Sequence, residues 1–251
     1  MKTRTIKLFK RLAAVILFAP ALALAAEAMH LDKAPVSTDQ AKLQRGAKLF
    51  VNYCLNCHSA SSVRYTALRD IGLDDKTITE NLLFTGDKVG DLMIVSMTRE
   101  DAEKWFGTAP PDLSVMARAK GSEFGSGADY LYTYLRSFYR DANRPTGWNN
   151  KVFANVGMPH AMADLQGEQT VKEVTDEHGK AAFELVAPAK PGSMSASEYD
   201  EAVADLVSFM VWMGEPIAER RKFIGLFVLA FLAVLYVLSH KLGKTYWKNI
   251  H

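Results

Sequence analysis

Apolar positions follow a helical period through much of this chain, and two unbroken apolar runs stand near its ends. The first is Leu12 to Leu24. It follows a basic stretch holding Lys2, Arg4, Lys7, Lys10 and Arg11, and Ala23-Leu24-Ala25 offers a small-residue cleavage site. This predicts an export signal over residues 1–25, cleaved near Ala25 or Ala26. The run is short for a membrane span, which takes about 20 residues. The second run, Phe223 to Ser239, carries no charge. Arg220, Arg221 and Lys222 precede it, and Lys241, Lys244 and Lys248 follow. Tyr246 and Trp247 suit a membrane interface. Residues 220–251 are therefore expected to form a transmembrane anchor with a short tail. The flanking charges tie, so the export signal sets the orientation: body outside, tail in the cytoplasm.

Between these ends, residues 26–219 form one expected domain of roughly 190 residues, enough for a single core with insertions. Ser37-x-x-Gln40 resembles a capping box. The helix it opens carries Leu43, Ala47, Leu49, Phe50 and Tyr53 as an apolar stripe. Short helices are expected at Tyr65 to Asp70, at Thr77 to Phe84 closed by Gly86, and at Asp101 to Trp105. Pro110 and Pro111 stiffen the backbone ahead of another short helix, with Asp112 placed to cap the turn after it. A strong helix is expected from Ala128 to Asp141, with Leu131, Tyr134, Leu135 and Phe138 on one side. Arg144 to Pro159 reads as a long ordered loop. Val171 to Thr175 and Ala181 to Val186 read as a hairpin turning at Asp176 to Gly179, and Pro188 to Gly192 as a connector. Ser195-x-x-Glu198 is a second capping box, opening a helix with Val203, Leu206, Val207, Met210 and Val211. Pro216 is expected to kink or break that helix before the membrane run. No internal repeat or low-complexity tract is evident.

Charge changes the picture of the body. The chain holds 30 basic and 28 acidic residues, for a net +2. Removing the 5 basic residues of the signal and the 6 from Arg220 onward leaves 19 against 28, a net of −9. That balance serves solubility, and equally it could steer a basic partner. No nucleic-acid partner is expected.

The chemistry concentrates in Cys54-Leu55-Asn56-Cys57-His58, which contains both cysteines of the chain. This is the C-x-x-C-H pattern of covalent haem attachment. Two thiols a turn apart can each add to a haem vinyl group, and the following imidazole can reach the iron. A redox dithiol does not require the histidine, and a four-ligand zinc site needs a second ligand pair at matching spacing. One haem c is therefore the expected cofactor, with His58 as one axial ligand.

The second axial ligand separates electron transfer from ligand chemistry, since an open iron position permits gas or peroxide binding. Met210, Met213 and Met116 sit on helices as packing residues. Met158 differs. In Asn155-Val156-Gly157-Met158-Pro159-His160, the glycine permits close backbone approach and the proline stiffens the loop. His160 and Met162 are rivals in the same loop, whereas His30, His178, His240 and His251 fall near the termini or in the hairpin. No acid–base or nucleophile constellation is evident.

These motifs together resemble the cytochrome c1 family, the haem subunits of quinol–cytochrome c reductases, in a bacterial form. The resemblance covers nearly the whole mature chain. It rests on Gln44-Arg45-Gly46 leading into Tyr53 and the haem pentapeptide with Ser59, on Val63-Arg64-Tyr65, and on Pro110-Pro111-Asp112-Leu113-Ser114 with Arg118 after it. Gly127-Ala128-Asp129-Tyr130-Leu131, the Met158 loop and the C-terminal anchor complete it. In one departure the loop reads Met-Pro-His, where relatives carry a Met followed by small residues and a proline pair, and His160 stays in view.

The resemblance implies a mainly α fold: a cytochrome c-like haem domain with loop insertions, a small β-hairpin inserted over about 168–188, and one C-terminal transmembrane helix. It implies thioethers from Cys54 and Cys57, iron ligation by His58 and Met158, a haem propionate on Arg118, and a crevice lined by Pro110 and Pro111. It further implies an electron-transfer subunit of an oxidoreductase complex of the respiratory chain, in the bacterial inner membrane, without substrate chemistry of its own. The expected partners are cytochrome b, a Rieske iron–sulfur protein as donor and a soluble or tethered cytochrome c as acceptor, within a dimeric complex. The contrasting expectation is a membrane-anchored haem sensor or peroxidase with an open iron site.

Overall fold

The computed structural model describes residues 30–175 and 181–248. The expected signal segment, its expected cleavage site and the expected hairpin turn at Asp176 to Gly179 lie outside them. All the elements below belong to a unit that begins at Asp32.

Helix α1 spans Gln40–Leu49 and passes into a wider π turn, Phe50–Cys54. Its cap is Asp39, whose side chain accepts from the Lys42 N–H, not the expected Ser37. The Ser37 hydroxyl instead accepts from the Asp39 N–H one turn earlier. Strand β1 (Ala60–Arg64) runs into a 3₁₀ helix, Tyr65–Ile71. Helix α2 is Asp75–Asn81, capped by Asp74. It starts and stops earlier than the expected Thr77 to Phe84, and Gly86 does not close it. Strand β2 (Leu92–Met93) pairs antiparallel with β1. Helix α3 is Arg99–Phe106, capped by Thr98, and α4 is Met116–Ala119.

Helix α5 is Gly127–Arg136, with a complete capping box of Ser126 and Asp129. It ends well before the expected Asp141. The Ser137 hydroxyl bonds back to the Thr133 carbonyl at 2.6 Å, and β3 (Phe138–Arg140) pairs with β4 (Trp148–Asn150). The aromatic pair Phe138-Tyr139 suits a strand once a partner exists, and that partner lies in the segment expected to be loop. Helix α6 (Ala163–Gln166) leads into β5 (Gly167–Thr175), which pairs with β6 (Ala181–Pro191). The hairpin is longer than its β-branched centre suggested, and β6 takes in most of the expected connector. Polar residues at its base are held by tertiary bonds: Gln169 Nε2 donates to the carbonyls of Arg136 and Phe138.

Helix α7 is Ala196–Gly214, with the expected Ser195/Glu198 capping box. The chain breaks at Glu215 to Ile217, around Pro216, and α8 runs from Ala218 to Tyr246. None of the residues of α8 is buried, and it is long and apolar enough to cross a membrane.

The core forms where α1 packs on α7. Ala47, Phe50 and Val51 meet Val203, Leu206 and Phe209, all fully buried. Gly46 permits this approach: a β-carbon there would stand 2.1 Å from the Asp205 carbonyl oxygen. Alongside, Arg45 Nε bonds the buried Asp205 carboxylate at 2.6 Å. The core thus fixes the helix that delivers the cysteine motif.

Candidate functional site

The π turn at the end of α1 delivers Cys54. The Cys54 carbonyl then accepts from both the Cys57 N–H (3.1 Å) and the His58 N–H (2.9 Å). The pentapeptide is therefore coiled about one backbone oxygen, with Leu55 buried beneath it and the Asn56 amide tied to the Asn52 carbonyl at 2.6 Å. Neither cysteine is in a disulfide, and both are partly buried. Before any attachment, burial pushes the Cys54 thiol up to about 12, with the nearby Cys57 adding to the shift.

His58 is oriented from a distant loop. Its Nδ1 lies 2.7 Å from the Pro111 carbonyl oxygen. A carbonyl can only accept, so Nδ1 carries the proton and Nε2 keeps its lone pair. Desolvation lowers the His58 pKa and outweighs the opposing Pro111 bond and the Asp112 charge, which favours the neutral ligand form. The Pro111 loop is itself zipped to the segment after His58. Leu113 N–H donates to the Ser59 carbonyl at 2.8 Å, Ser61 N–H to Asp112 Oδ2 at 2.7 Å, and Ser62 N–H to Ser114 Oγ at 3.0 Å. Asp112 also caps its own turn, as expected, by accepting from the Ser114 N–H at 2.8 Å.

The Met158 loop is pinned by asparagines. Asn149 Oδ1 accepts from the Asn155 N–H at 2.8 Å, and Asn150 Oδ1 accepts from Val152 and Phe153. Arg144 Nη2 holds the Asn155 carbonyl at 2.8 Å, where Asn155 adopts a left-handed φ of 61°. Met158 is half-buried and packs with Phe138, Trp148 and Val156. Tyr134 of α5 donates its hydroxyl to Met158 Sδ at 3.4 Å, and burial pushes that phenol's pKa up. A β-carbon on Gly157 would meet the Thr108 methyl at 3.9 Å. Thr108 lies just ahead of Pro110 and Pro111, so the methionine loop and the loop that orients His58 adjoin there.

The rivals to Met158 are enclosed differently. Met162 is 3% exposed within the main core. The His160 ring stacks on Phe138 (4.8 Å, 4°) and meets Trp148 (5.1 Å, 79°) and Tyr199 (6.5 Å, 86°) edge-on. Its Nε2 has no hydrogen-bond partner among the described residues.

Arg118, on α4, is exposed, and its aliphatic stem passes Gly214 at the end of α7. Its guanidinium has no ion pair or hydrogen bond among the described residues. Nearby in sequence, Lys120 lies over the Tyr130 ring at 5.0 Å and the Phe153 ring at 5.9 Å. Gly127 brings α5 against α4, since a β-carbon there would sit 2.1 Å from the Ala117 carbonyl oxygen.

This donor set fits a haem c: two thiols, an imidazole with its Nε2 lone pair available, a half-buried thioether and an uncommitted guanidinium. Among the described residues, no cluster of three or more His, Cys, Asp and Glu side chains could hold a bare metal ion. Sequence reasoning missed the Pro111 carbonyl, the asparagine pins and the Tyr134 hydroxyl. The spacing of Tyr130, Tyr134 and Phe138 at successive helical turns was the one available signal for the last.

Fold and site together define a c-type cytochrome. The Cytochrome C1 family matches residues 30–183 and 191–250, and the chain belongs to that family. It is 45% identical to the ammonia monooxygenase gamma subunit of Nitrosomonas europaea, over 98% of this chain and 100% of that protein. It is 44% identical to cytochrome c1 of Allochromatium vinosum, over 96% of this chain and 98% of that one. Cytochrome c1 of Rhodospirillum rubrum is 27% identical over 84% and 83%. As a member of this family the chain is an electron-transfer haem subunit of a bc1 complex and carries one covalently attached haem c. It works as part of an oxidoreductase complex.

Proposed function

We propose that this chain carries one electron at a time from a Rieske iron–sulfur protein to a soluble or tethered cytochrome c. The observation that carries the reading is the Nδ1 bond from His58 to the Pro111 carbonyl, which leaves Nε2 free beside two attachment thiols. Bound haem supplies a one-electron iron couple. Cys54 and Cys57 form thioethers, so the group cannot dissociate in either redox state. His58 Nε2 and Met158 Sδ would hold the iron from the two sides, which would favour outer-sphere transfer over ligand binding and raise the potential relative to a second histidine. Arg118 pairs with a propionate by a charge-assisted bond. Pro110 and Pro111 line the crevice and hold the carbonyl that orients His58.

The same reading assigns residues 1–25 to an export signal and 26–219 to a periplasmic haem domain. Residues 220–251 become a single-pass anchor of the inner membrane with a cytoplasmic C-terminus. Helix α8 supports this by its length and exposed apolar surface, and would lie beside cytochrome b within a dimeric complex. The hairpin receives no chemical role.

The test is the spectrum of the intact membrane complex, reduced minus oxidised, with and without carbon monoxide. The expected result is a low-spin haem unaltered by carbon monoxide in the wild type. In Met158→Leu the iron opens, the potential falls and carbon monoxide binds. A high-spin, carbon monoxide-reactive wild-type haem would overturn the reading and favour an open-site sensor or peroxidase. A Met158→Leu protein with an unchanged spectrum would move the sixth ligand to His160 or Met162.

A further inference from the structure

Tyr134 is the one residue of α5 whose side chain bonds the Met158 loop by a hydrogen bond, and its geometry is fixed from several sides. Its hydroxyl donates to Met158 Sδ at 3.4 Å. Tyr130, one turn earlier, stacks on its ring at 5.8 Å and 11°. Phe138, just past the helix in β3, meets it edge-on at 5.1 Å and 71°. The Tyr134 backbone carbonyl accepts from Asn150 Nδ2 at 2.8 Å, and Asn150 in turn holds Val152 and Phe153. Helix and loop are thus joined through the backbone as well as through the hydroxyl–sulfur bond, and ring rotation away from the sulfur would cost both aromatic contacts.

From this geometry we infer that Tyr134 is a positioning residue that sets the donor strength of the Met158 thioether. The inference rests on Met158 as an axial ligand. A thioether sulfur has two lone pairs: one is committed to iron, and the Tyr134 hydroxyl hydrogen takes up the other. Donation from the phenol draws electron density from sulfur and makes it a weaker donor. A weaker donor stabilises ferric iron less than ferrous iron, so the bond raises the potential. This is the tuning of a metal by a hydrogen bond to its ligand. The phenol is neutral, so it does this without placing a charge in the crevice. The bond also resists swinging of the sulfur away from iron, which would admit an external ligand.

The experiment uses the full-length chain in its membrane complex. Tyr134→Phe keeps the ring and both aromatic contacts and removes only the hydroxyl. The haem is expected to stay low-spin, its midpoint potential to fall, and the ferric protein to bind added imidazole several-fold more tightly. Tyr132→Phe is the control: this phenol lies on the same helix with its ring against the Arg136 guanidinium at 4.3 Å, and its loss is expected to leave the potential unchanged. A Tyr134→Phe protein with wild-type potential and imidazole affinity overturns the inference, and so does an equal shift in Tyr132→Phe. The unsubstituted protein offers a second measurement that needs no variant to fold. Exchange into heavy water is expected to shift the iron–sulfur stretching frequency in resonance Raman spectra, and an unmoved frequency counts against the bond. Met158→Leu separates the two readings. An unchanged spectrum there removes the axial assignment itself, whereas an opened iron with an unmoved Tyr134→Phe potential removes only the role of Tyr134.

Discussion

His58 and Pro111 are joined by a 2.7 Å hydrogen bond from the imidazole Nδ1 to a backbone carbonyl 53 residues away. That carbonyl cannot be removed by substitution, but its support can. Asp112 holds the Pro111 loop to the haem-motif side by accepting from the Ser61 and Ser114 N–H groups. Asp112→Ala is expected to lower the unfolding free energy by about 1 kcal/mol, the worth of a partly exposed bond to a carboxylate. It is also expected to shift the haem potential, because the His58 ring loses its fixed acceptor. Asp112→Asn keeps one acceptor oxygen and should show a smaller loss. Denaturant midpoints and redox titration of the haem-loaded protein check both effects, and wild-type values for Asp112→Ala would show that the loop needs no such support.

Gly46 sits where α1 crosses α7. A methyl group there would stand 2.1 Å from the Asp205 carbonyl oxygen and 2.7 Å from Phe209 Cβ. Backbone cannot yield as a flexible side chain can, so the helices must part. Gly46→Ala is therefore expected to destabilise the domain by about 3 kcal/mol, the upper range of overpacking costs, and to loosen the Arg45–Asp205 pair. Equilibrium unfolding measures this. A midpoint equal to that of the wild type would mean that the two helices do not pack this closely.

Asp129 gathers the N-terminal segment onto α5. It accepts from the Ala34 N–H at 2.8 Å, from Ser126 through both N–H and hydroxyl, and from Lys33 Nζ at 3.1 Å. Desolvation raises its pKa, but these bonds together outweigh it and hold the carboxyl at about 2. An unfolded aspartate titrates near about 3.9. Above roughly pH 5 both states are ionised and the stabilisation is complete. As the pH falls from about 5 toward about 2, the unfolded chain takes up its proton first and stability is lost. Asp129→Asn is expected to reduce stability at neutral pH and to flatten the profile in that acid window. Unfolding curves taken across the window decide it, and an unaltered slope in the variant would count against the role.

Legibility from sequence followed the range of the interaction. The Ser195/Glu198 capping box of α7 and the break at Pro216 are local, and both stand where the pattern placed them. The cysteine pentapeptide and Met158 were visible as candidates because haem chemistry needs those residue types. The cap at Asp39 rather than Ser37 was a choice between two good caps, made by which carboxylate or hydroxyl reached the first free N–H. The early end of α5 depended on β4, a strand whose pairing no local pattern announces. The His58–Pro111 bond was the least legible, since a backbone carbonyl leaves no signature in the residue string. The Tyr134–Met158 bond spans 24 residues and two elements, and a helical tyrosine reads as packing until its neighbour is known.

The acidic balance of the body leads to a prediction about the acceptor. Residues 26–219 carry a net charge of −9, from 19 basic and 28 acidic residues. A field of that sign speeds the approach of a basic acceptor only over distances that salt has not screened. The screening length shrinks from about 30 Å at 0.01 M to about 10 Å at 0.1 M. Steered association is therefore expected to slow several-fold across that range, within the roughly 10- to 1,000-fold span known for such effects, while the potential of the haem stays constant. Stopped-flow oxidation of the reduced complex by a basic cytochrome c at increasing salt measures this directly. An acidic acceptor should show the opposite trend, because screening then removes a repulsion. If both acceptors react at rates independent of salt, the acidity of the body serves solubility and steers no acceptor.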